Sequence, residues 1–224
     1  MSSANAWNHL RGLTPLSLCD WPGHPCCVVF LGGCNLRCPT CHNGDMAWDM
    51  ESQPLVTQAA LRAFLAKRKR WLSGITVTGG EPSTVPGIGA ILHELAQSGL
   101  PIKLDTNAML PEVVEEMLAE GMVARFAVDV KGPFVKYPAL TGGAVSELAA
   151  RRNLSRIFAL AEARPEAFFF RTTLVPLLDD TDVNAVRAML PAGFTLTTQE
   201  YKPPRRPHAL TDSEARRTTG NLVY

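Results

Sequence analysis

The sequence contains no long apolar run and no strong excess of charge of either sign. Its 224 residues include 22 Lys and Arg against 21 Asp and Glu, for a formal net charge of +1. No overall electrostatic field therefore favours a nucleic acid or an anionic membrane as partner. No segment approaches the roughly 20 consecutive apolar residues that span a bilayer, and the first residues, MSSANAWNHLRGL, lack the apolar stretch of a signal peptide. We expect a cytoplasmic protein that binds neither nucleic acid nor membrane.

The sequence also shows no internal repeat, no low-complexity segment and no sign of a second domain. With 46% hydrophobic and 19% charged residues, its composition is that of an ordinary globular chain. We expect a single domain over residues 1–224, ending in a tail of about 202–224 that forms loop and a short helix.

Apolar runs alternate with segments of helical spacing along the chain. The runs predict six strands, several of them apolar almost throughout, as is typical of parallel strands covered on both faces. They cover residues 26–31, 75–78, 102–105, 126–130, 168–174 and 194–199. Helices are predicted after the N-cap Thr57, over 88–95 up to Gly99, from Pro111 to Gly121, over 154–161 and over 183–190.

About six strand–helix units predict an α/β fold, since a closed eight-unit barrel needs roughly 250 residues. We predict a partial (β/α)6 TIM-type barrel that is open along one side. A doubly wound open sheet would give much the same order of elements and is the alternative.

The strongest local pattern is GGCNLRCPTCHN over residues 32–43, which follows the first predicted strand. It places Cys34, Cys38 and Cys41 in a C-x3-C-x2-C array. In a reducing compartment clustered cysteines bind metal more often than they form disulfides. Three thiolates suit a cuboidal iron–sulfur cluster with one iron left open. Zinc is the alternative, but it needs a fourth ligand that the neighbouring His42 is poorly placed to supply.

The remaining cysteines, Cys19, Cys26 and Cys27, are predicted to be buried structural thiols. Cys26 and Cys27 are adjacent on a strand, so their side chains should point to opposite faces. We therefore expect one cluster only.

Polar residues follow the next predicted strands. Thr78 leads into Gly79-Gly80-Glu81-Pro82, where two glycines allow close approach to a ligand and Glu81 can pair with an ammonium group; a simple turn is the alternative.

Charged residues stand at the ends of the later strands and are costly to bury without partners. The charged residues are Asp105, which is followed by the polar Thr106, then Asp129 and Lys131, and finally Arg171 within FFFRTTLV. A shared polar site at the carboxyl rim of the barrel would partner them. In the alternative, Asp105 caps a turn, Lys131 reaches solvent and Arg171 pairs with a structural Asp.

The cysteine spacing resembles the signature of the radical S-adenosylmethionine superfamily. The chain resembles in particular the compact glycyl-radical-enzyme activases, above all the activating proteins of anaerobic ribonucleoside-triphosphate reductase. The resemblance is carried, in matching order, by LTPLSLCDWPG, VVFLGGCNLRCPTCHN, TVTGGEP, IKLDTN, AVDVKGP and FRTTLVP.

This resemblance implies a [4Fe-4S] cluster whose open iron is chelated by S-adenosylmethionine. An electron from flavodoxin or ferredoxin then breaks a carbon–sulfur bond to give methionine and a 5′-deoxyadenosyl radical. That radical removes a hydrogen atom from a backbone glycine of the partner, a glycyl radical enzyme. An open-sided barrel would let the partner's loop enter.

The resemblance also implies roles for individual residues. Gly79, Gly80 and Glu81 would bind the cofactor's amino group, and Arg171 would contact cofactor or substrate, with Lys131 in the same site. In related pyruvate formate-lyase activases the positions of Asp105, Thr106 and Asp129 hold a monovalent cation beside the cofactor carboxylate.

Two residues depart from the pattern of the family. Thr40 stands at the cofactor-binding position where the family has an aromatic residue that helps to hold the adenine. Ala108 replaces a glycine, so a turn with positive φ at that position would be strained.

Two other functions remain open at this point. One is radical chemistry on a small molecule, as in short deazaguanine-forming relatives, which usually have a longer gap between the first two cysteines. The other is a non-catalytic binding module stapled by metal.

Overall fold

The computed structural model describes residues 3–203, which form one seven-stranded sheet in the order β1 to β7. The strands are β1 Leu10–Ser17, β2 Cys26–Leu31, β3 Gly74–Gly79, β4 Ile102–Thr106, β5 Arg125–Asp129, β6 Phe168–Leu174 and β7 Leu196–Glu200. β1 is antiparallel to β2, and β2 through β7 are parallel. Within the described part of the chain β1 and β7 are the two edges of the sheet, so the barrel is not closed.

The strand order confirms the partial barrel. A doubly wound sheet reverses its strand order at a switch point. Here each parallel strand from β2 onward pairs with the next one in sequence, so every crossover moves in the same direction around the sheet. The doubly wound alternative is therefore excluded.

The helices cover the outer face of the sheet and agree with the predicted helix signals. They are α1 Gly44–Trp48, α2 Gln58–Arg68, α3 Ile88–Ala96, α4 Pro111–Ala119, α5 Tyr137–Leu140, α6 Glu147–Ala163 and α7 Asp180–Met189. The Thr57 side chain accepts a hydrogen bond from the N–H of Ala60, and Pro111 occupies the first turn of α4. Gly99 and Gly121 have φ of +77° and +69°, as expected for residues that end helices. Short 3-10 segments cover Ser3–His9, Met50–Ser52, Lys69–Trp71, Pro82–Thr84, Phe134–Lys136 and Pro165–Ala167.

Strand β1 has no counterpart in the sequence prediction. Its sequence, LRGLTPLS, contains both Gly12 and Pro15 and has little strand propensity. Its register shifts between Thr14 and Ser17, so Pro15 falls in an irregularity where a missing N–H is tolerated. Pairing with the buried strand β2 stabilises this segment, and local sequence does not reveal such pairing.

The two faces of β2 confirm the prediction for its adjacent cysteines. Cys27 packs with the main core between sheet and helices, whereas Cys26 packs with Trp21 and Val28 in a second cluster. Both thiols are buried, and burial raises the pKa of Cys27 to about 12. Cys19 is exposed, so the prediction that it is buried is wrong. It lies in the bend after β1, where the chain has left the sheet.

None of the helices within residues 3–203 has the length and apolar character required to cross a bilayer. Of the predicted tail, about 202–224, the part from residue 204 onward lies outside the described residues.

Candidate active site

A cavity of about 460 Å³ opens at the carboxyl ends of the parallel strands. Every site residue that the sequence singled out lines this one cavity, although the residues come from five separate segments of the chain. They are Cys34, Cys38, Thr40, Cys41, Gly79, Gly80, Glu81, Asp105, Thr106, Asp129, Lys131 and Arg171. Because parallel strands end at a common edge, residues far apart in sequence meet there.

The three cysteines lie on the loop between β2 and α1, largely shielded from solvent. The N–H of Cys41 donates to the carbonyl of Cys38 at 3.0 Å, and the N–H of Leu36 donates to the Cys34 sulfur at 3.4 Å. Burial raises the pKa of Cys34 to about 12 and also raises the pKa of Cys38 and of Cys41. The nearby charge of Lys131 acts in the opposite direction on all three thiols. A metal must displace the thiol protons in order to bind.

Three thiols beside a His42 side chain that contacts a backbone carbonyl suit a cluster better than a tetrahedral zinc site, which needs a fourth ligand. Among residues 3–203, no three His, Cys, Asp or Glu side chains converge closely enough to hold one metal ion. A tetrahedral zinc site with Zn–S distances of about 2.3 Å needs sulfurs about 3.8 Å apart. An iron–sulfur cuboid binds each thiolate at a different iron, so its ligands surround a common volume. His42 contacts the carbonyl of Lys202 at 3.3 Å.

The two glycines at the end of β3, Gly79 and Gly80, are required by the close approach of the end of β2 and the start of the cluster loop. The N–H of Gly80 donates to Leu31 O and the N–H of Glu81 donates to Gly33 O, both at 2.8 Å. A Cβ on Gly79, whose φ is +126°, would lie 2.1 Å from Leu31 O, and one on Gly80 would lie 2.0 Å from Gly33 O. Glycine is therefore needed where two backbones cross. Its predicted role in ligand approach stays a prediction.

The Glu81 carboxylate joins the end of β3 to the end of β4. It is 2% exposed and accepts four hydrogen bonds: from the N–H and hydroxyl of Ser83, from the Thr106 hydroxyl at 2.7 Å and from the N–H of Asn107 at 2.6 Å. Burial raises the pKa of Glu81, while these hydrogen bonds act to lower it. The predicted pairing with a cofactor ammonium stays a prediction, and this carboxylate already has four protein donors.

Five alternating charges cross the inner face of β4, β5 and β6 and the residues just after β5. We name Lys103, Asp105, Arg171, Asp129 and Lys131 the charged chain. Arg171 stands at its centre, with Nη2 at 3.1 Å from Asp105 Oδ2 and Nε at 2.5 Å from Asp129 Oδ1. Lys131 Nζ lies 3.3 Å from Asp129 Oδ2, and Lys103 Nζ pairs with Asp105 Oδ1.

The charged chain has three cations and two carboxylates, a surplus of one positive charge. Burial alone would raise the pKa of Asp129, but the charges of Arg171 and Lys131 hold it well below its usual range. Burial opposes the charge of Lys131, but Asp129 and the three cysteine thiols raise its pKa above the ordinary value. The surplus charge therefore faces the cysteine loop.

These contacts show which of the alternative roles considered for Asp105, Lys131 and Arg171 the structure supports. Asp105 does not simply cap a turn, because both its oxygens face protein cations, and Arg171 finds two structural Asp partners. Lys131 is partly exposed and pairs with Asp129. Lys103 was missed, although a lysine two residues before Asp105 in an apolar strand must share its face.

The departures from the family pattern also have structural counterparts. Ala108 has φ of +63° and is fully buried, so the expected strain is confirmed. Thr40 lines the cavity together with Trp48 of α1, whose indole N–H donates to Leu36 O at 2.7 Å.

Several polar residues around the cavity had not been assigned a role. The Asn43 amide donates to Gly79 O at 3.2 Å, and that of Asn107 donates to Asn35 Oδ1 at 2.8 Å. Asn43 is the last residue of VVFLGGCNLRCPTCHN, and Asn107 is the last residue of IKLDTN. Their positions in these motifs could therefore have indicated that they lie at the site. Asp20, which lies inside LTPLSLCDWPG, and Gln199, which no local pattern marks, also line the cavity.

Comparisons with known proteins agree with this geometry. The family model described as the Radical SAM superfamily matches residues 28–189. The chain is 28% identical over 196 residues to a Methanocaldococcus jannaschii protein named "Putative glycyl-radical enzyme activating enzyme", covering 87% of this chain and 80% of that one. It is 33% identical over 105 residues to a pyruvate formate-lyase-activating enzyme of Staphylococcus aureus, covering 45% and 41% of the two chains.

Solved structures support the fold. Streptococcus suis SuiB bound to S-adenosylmethionine matches with a TM-score of 0.60 at 15% identity, over 78% of this chain and 40% of SuiB. QueE from Escherichia coli matches with a TM-score of 0.51 at 12% identity, over 89% and 98% of the two chains. The chain belongs to the radical SAM superfamily, whose enzymes use a [4Fe-4S] cluster and S-adenosylmethionine.

Proposed function

We propose that this enzyme is an activase that installs a glycyl radical in a partner protein. Cys34, Cys38 and Cys41 would each ligate one iron of the [4Fe-4S] cluster and leave the fourth iron for S-adenosylmethionine. The observation that carries the proposal is that the three thiols line one cavity together with four members of the charged chain, Asp105, Asp129, Lys131 and Arg171. Given one electron, cluster and cofactor supply the radical that takes a hydrogen atom from a backbone glycine.

The charged chain supports this cofactor assignment electrostatically. Its surplus positive charge suits the carboxylate of S-adenosylmethionine, with Arg171 and Lys131 as the cations that line the cavity. The backbone of Gly79, Gly80 and Glu81 lines the neighbouring wall and would receive the amino group. In this proposal the main role of Glu81 is to hold this wall of the cavity in place, because its carboxylate accepts hydrogen bonds from the Thr106 hydroxyl and the Asn107 N–H.

The open side of the barrel supports a protein substrate. β7 is the last strand of the described sheet, and four of its five residues are exposed. Gln199 and Glu200 of this strand line the cavity, so the cavity is reached from the edge of the sheet. A peptide loop can enter there without unfolding the barrel.

Relatives and motifs narrow the class of substrate. Two relatives carry names of activating enzymes, one for glycyl-radical enzymes in general and one for pyruvate formate-lyase. The motif order from LTPLSLCDWPG to FRTTLVP resembles the activases of anaerobic ribonucleotide reductase. We therefore propose that reductase as the partner, and flavodoxin or ferredoxin as the electron donor.

The test is anaerobic reconstitution followed by incubation with reductant, S-adenosylmethionine and an anaerobic ribonucleotide reductase. We expect about four irons per chain, release of 5′-deoxyadenosine and a glycyl doublet in the electron paramagnetic resonance spectrum of the partner. Cys38→Ala should lose both products, whereas Cys19→Ala, which removes an exposed thiol, should retain them.

The outcomes separate the candidate functions. Cleavage of the cofactor without a glycyl signal for any partner would contradict the activase proposal and indicate a small-molecule substrate. Full activity of Cys38→Ala would contradict the cluster assignment itself.

A further inference from the structure

The two carboxylates of the charged chain have no oxygen left without a protein cation. Asp105 Oδ1 pairs with Lys103 and Oδ2 with Arg171, while Asp129 Oδ1 pairs with Arg171 and Oδ2 with Lys131. Among residues 3–203, every buried side-chain oxygen and nitrogen has a hydrogen-bond partner. The negative charges of Asp105 and Asp129 are thus neutralised from within the chain.

Lys103 is the unusual member of the group. Its side chain is 0% exposed and extends from the inner face of β4, two residues before Asp105. A buried ammonium is costly without a partner, and its ion pair here is with Asp105. Its complete burial places it in the interior of the barrel.

This arrangement does not fit the monovalent cation that the family resemblance implies at Asp105, Thr106 and Asp129. The four oxygens of Asp105 and Asp129 already face Lys103, Arg171 or Lys131, so a further cation would approach three positive charges, while the nearby Glu81 carboxylate is engaged by four hydrogen-bond donors. The hydroxyl hydrogen of Thr106 is donated to Glu81, and the same oxygen accepts from the N–H of Ala108. A metal ion would have to share these carboxylate oxygens with Lys103, Arg171 or Lys131, or displace one of the three.

We propose that the Lys103 ammonium is a built-in replacement for the monovalent cation, so that S-adenosylmethionine binds this enzyme independently of K⁺ or Na⁺. The inference rests on the cofactor site proposed above. Lys103 acts through Asp105 and Arg171 and is therefore a positioning residue. It neutralises Asp105, which leaves the charge of Arg171 and Lys131 available to a ligand carboxylate.

The test measures affinity for S-adenosylmethionine by anaerobic equilibrium dialysis of the reconstituted enzyme. Buffers contain K⁺, Na⁺ or N-methylglucammonium as the sole monovalent cation at constant ionic strength. We expect the wild-type Kd to agree within twofold among the three buffers. Lys103→Met should bind at least tenfold more weakly in N-methylglucammonium and recover in K⁺ or Na⁺. Lys67→Met, at an exposed position of α2, should behave like the wild type.

Cation-dependent unfolding gives a second reading that needs neither cluster nor cofactor. The melting temperature of metal-free Lys103→Met should rise with K⁺ or Na⁺ at constant ionic strength, whereas that of the wild type should not. Lys103→Arg keeps the positive charge and should remain independent of the cation. It therefore separates charge from packing.

Three results would overturn the inference: a saturable, tenfold or larger dependence of the wild-type Kd on K⁺ or Na⁺, cation independence of Lys103→Met in both assays, or cation dependence of Lys103→Arg. If Lys103→Met does not fold, the wild-type and Lys103→Arg measurements decide the matter. Failure of the wild type to bind S-adenosylmethionine in any buffer would instead refute the proposed cofactor site, which distinguishes the two failures.

Discussion

Replacing Gly80 with alanine tests why glycine is needed at this position. Either it lets two backbone segments pack closely, or it lets a ligand approach the backbone. The added Cβ would lie 2.0 Å from the carbonyl oxygen of Gly33 and 2.7 Å from its carbon. These are backbone atoms, so no side chain can rotate away. The strand end after β3 must therefore move away from the cluster loop.

The magnitude follows from the contacts that are lost. Overpacking of a tight contact costs about 1–3 kcal/mol. Separating the loops also weakens the bonds from the N–H of Gly80 to Leu31 O and from the N–H of Glu81 to Gly33 O, each worth about 1 kcal/mol. We expect Gly80→Ala to lower the free energy of unfolding by about 2–4 kcal/mol, allowing for partial relaxation.

The assay is urea denaturation of the metal-free protein under anaerobic, reducing conditions, followed by far-UV circular dichroism. Gly89→Ala is the matched control, because it lies in α3 and its Cβ would meet nothing closer than Glu120 Oε2 at 4.0 Å. Because Gly89 is the second residue of α3, alanine there should stabilise by at most about 1 kcal/mol, the figure for a helix interior. If Gly80→Ala leaves the stability of the metal-free protein within about 0.5 kcal/mol of wild type, the backbone-crossing explanation is wrong.

Three further predictions concern single side chains. Asp129 has a folded-state pKa below its usual range, so the stability it contributes is present above about pH 4 and is lost as the pH falls toward the folded value. In urea titrations between about pH 5 and 2, Asp129→Asn should therefore flatten the acid loss of stability, and an unchanged slope would contradict this. Cys19 should react with iodoacetamide at pH 8 in the folded protein while Cys27, buried and with a pKa of about 12, stays unmodified by mass spectrometry; equal labelling would refute the assigned burial. Thr57→Ala removes the cap of the Ala60 N–H and should cost about 1 kcal/mol by the same urea assay, and no loss would show that this cap is not stabilising.

The parts of the fold that the sequence predicted are those with local signals. β2 and β6 were predicted to the residue, because each is an apolar run bounded by turn residues. The last strand was predicted over residues 194–199, but β7 begins two residues later, at Leu196. The ring of Phe194 instead packs edge-on against Phe170, with the ring centroids 5.1 Å apart. Strand β1 was missed because its stability comes from pairing, which no local pattern expresses.

The site shows the same division between local pattern and tertiary partner. The cysteine motif and the residue types at strand ends predicted twelve residues that line one cavity, since chain order alone brings parallel strand ends together. Their partners could not be predicted. Arg171 could have met a ligand or an aspartate, and only the register of β5 with β6, which pairs Asp129 with Arg171, decides this.

The position of Lys131 shows how the fold would couple the charged chain to the cluster loop. Its N–H donates to the hydroxyl of the fully buried Tyr137 at 3.1 Å, and its ammonium pairs with Asp129. The Tyr137 hydrogen bond holds the backbone of Lys131 just after β5, and the ion pair with Asp129 holds its ammonium. When Cys34, Cys38 and Cys41 are thiolates, their negative charge raises the pKa of Lys131. In the proposed function, a thiolate-bound cluster adds negative charge beside the Lys131 ammonium. The surplus positive charge of the charged chain would then lie next to both the cluster and the carboxylate of the cofactor.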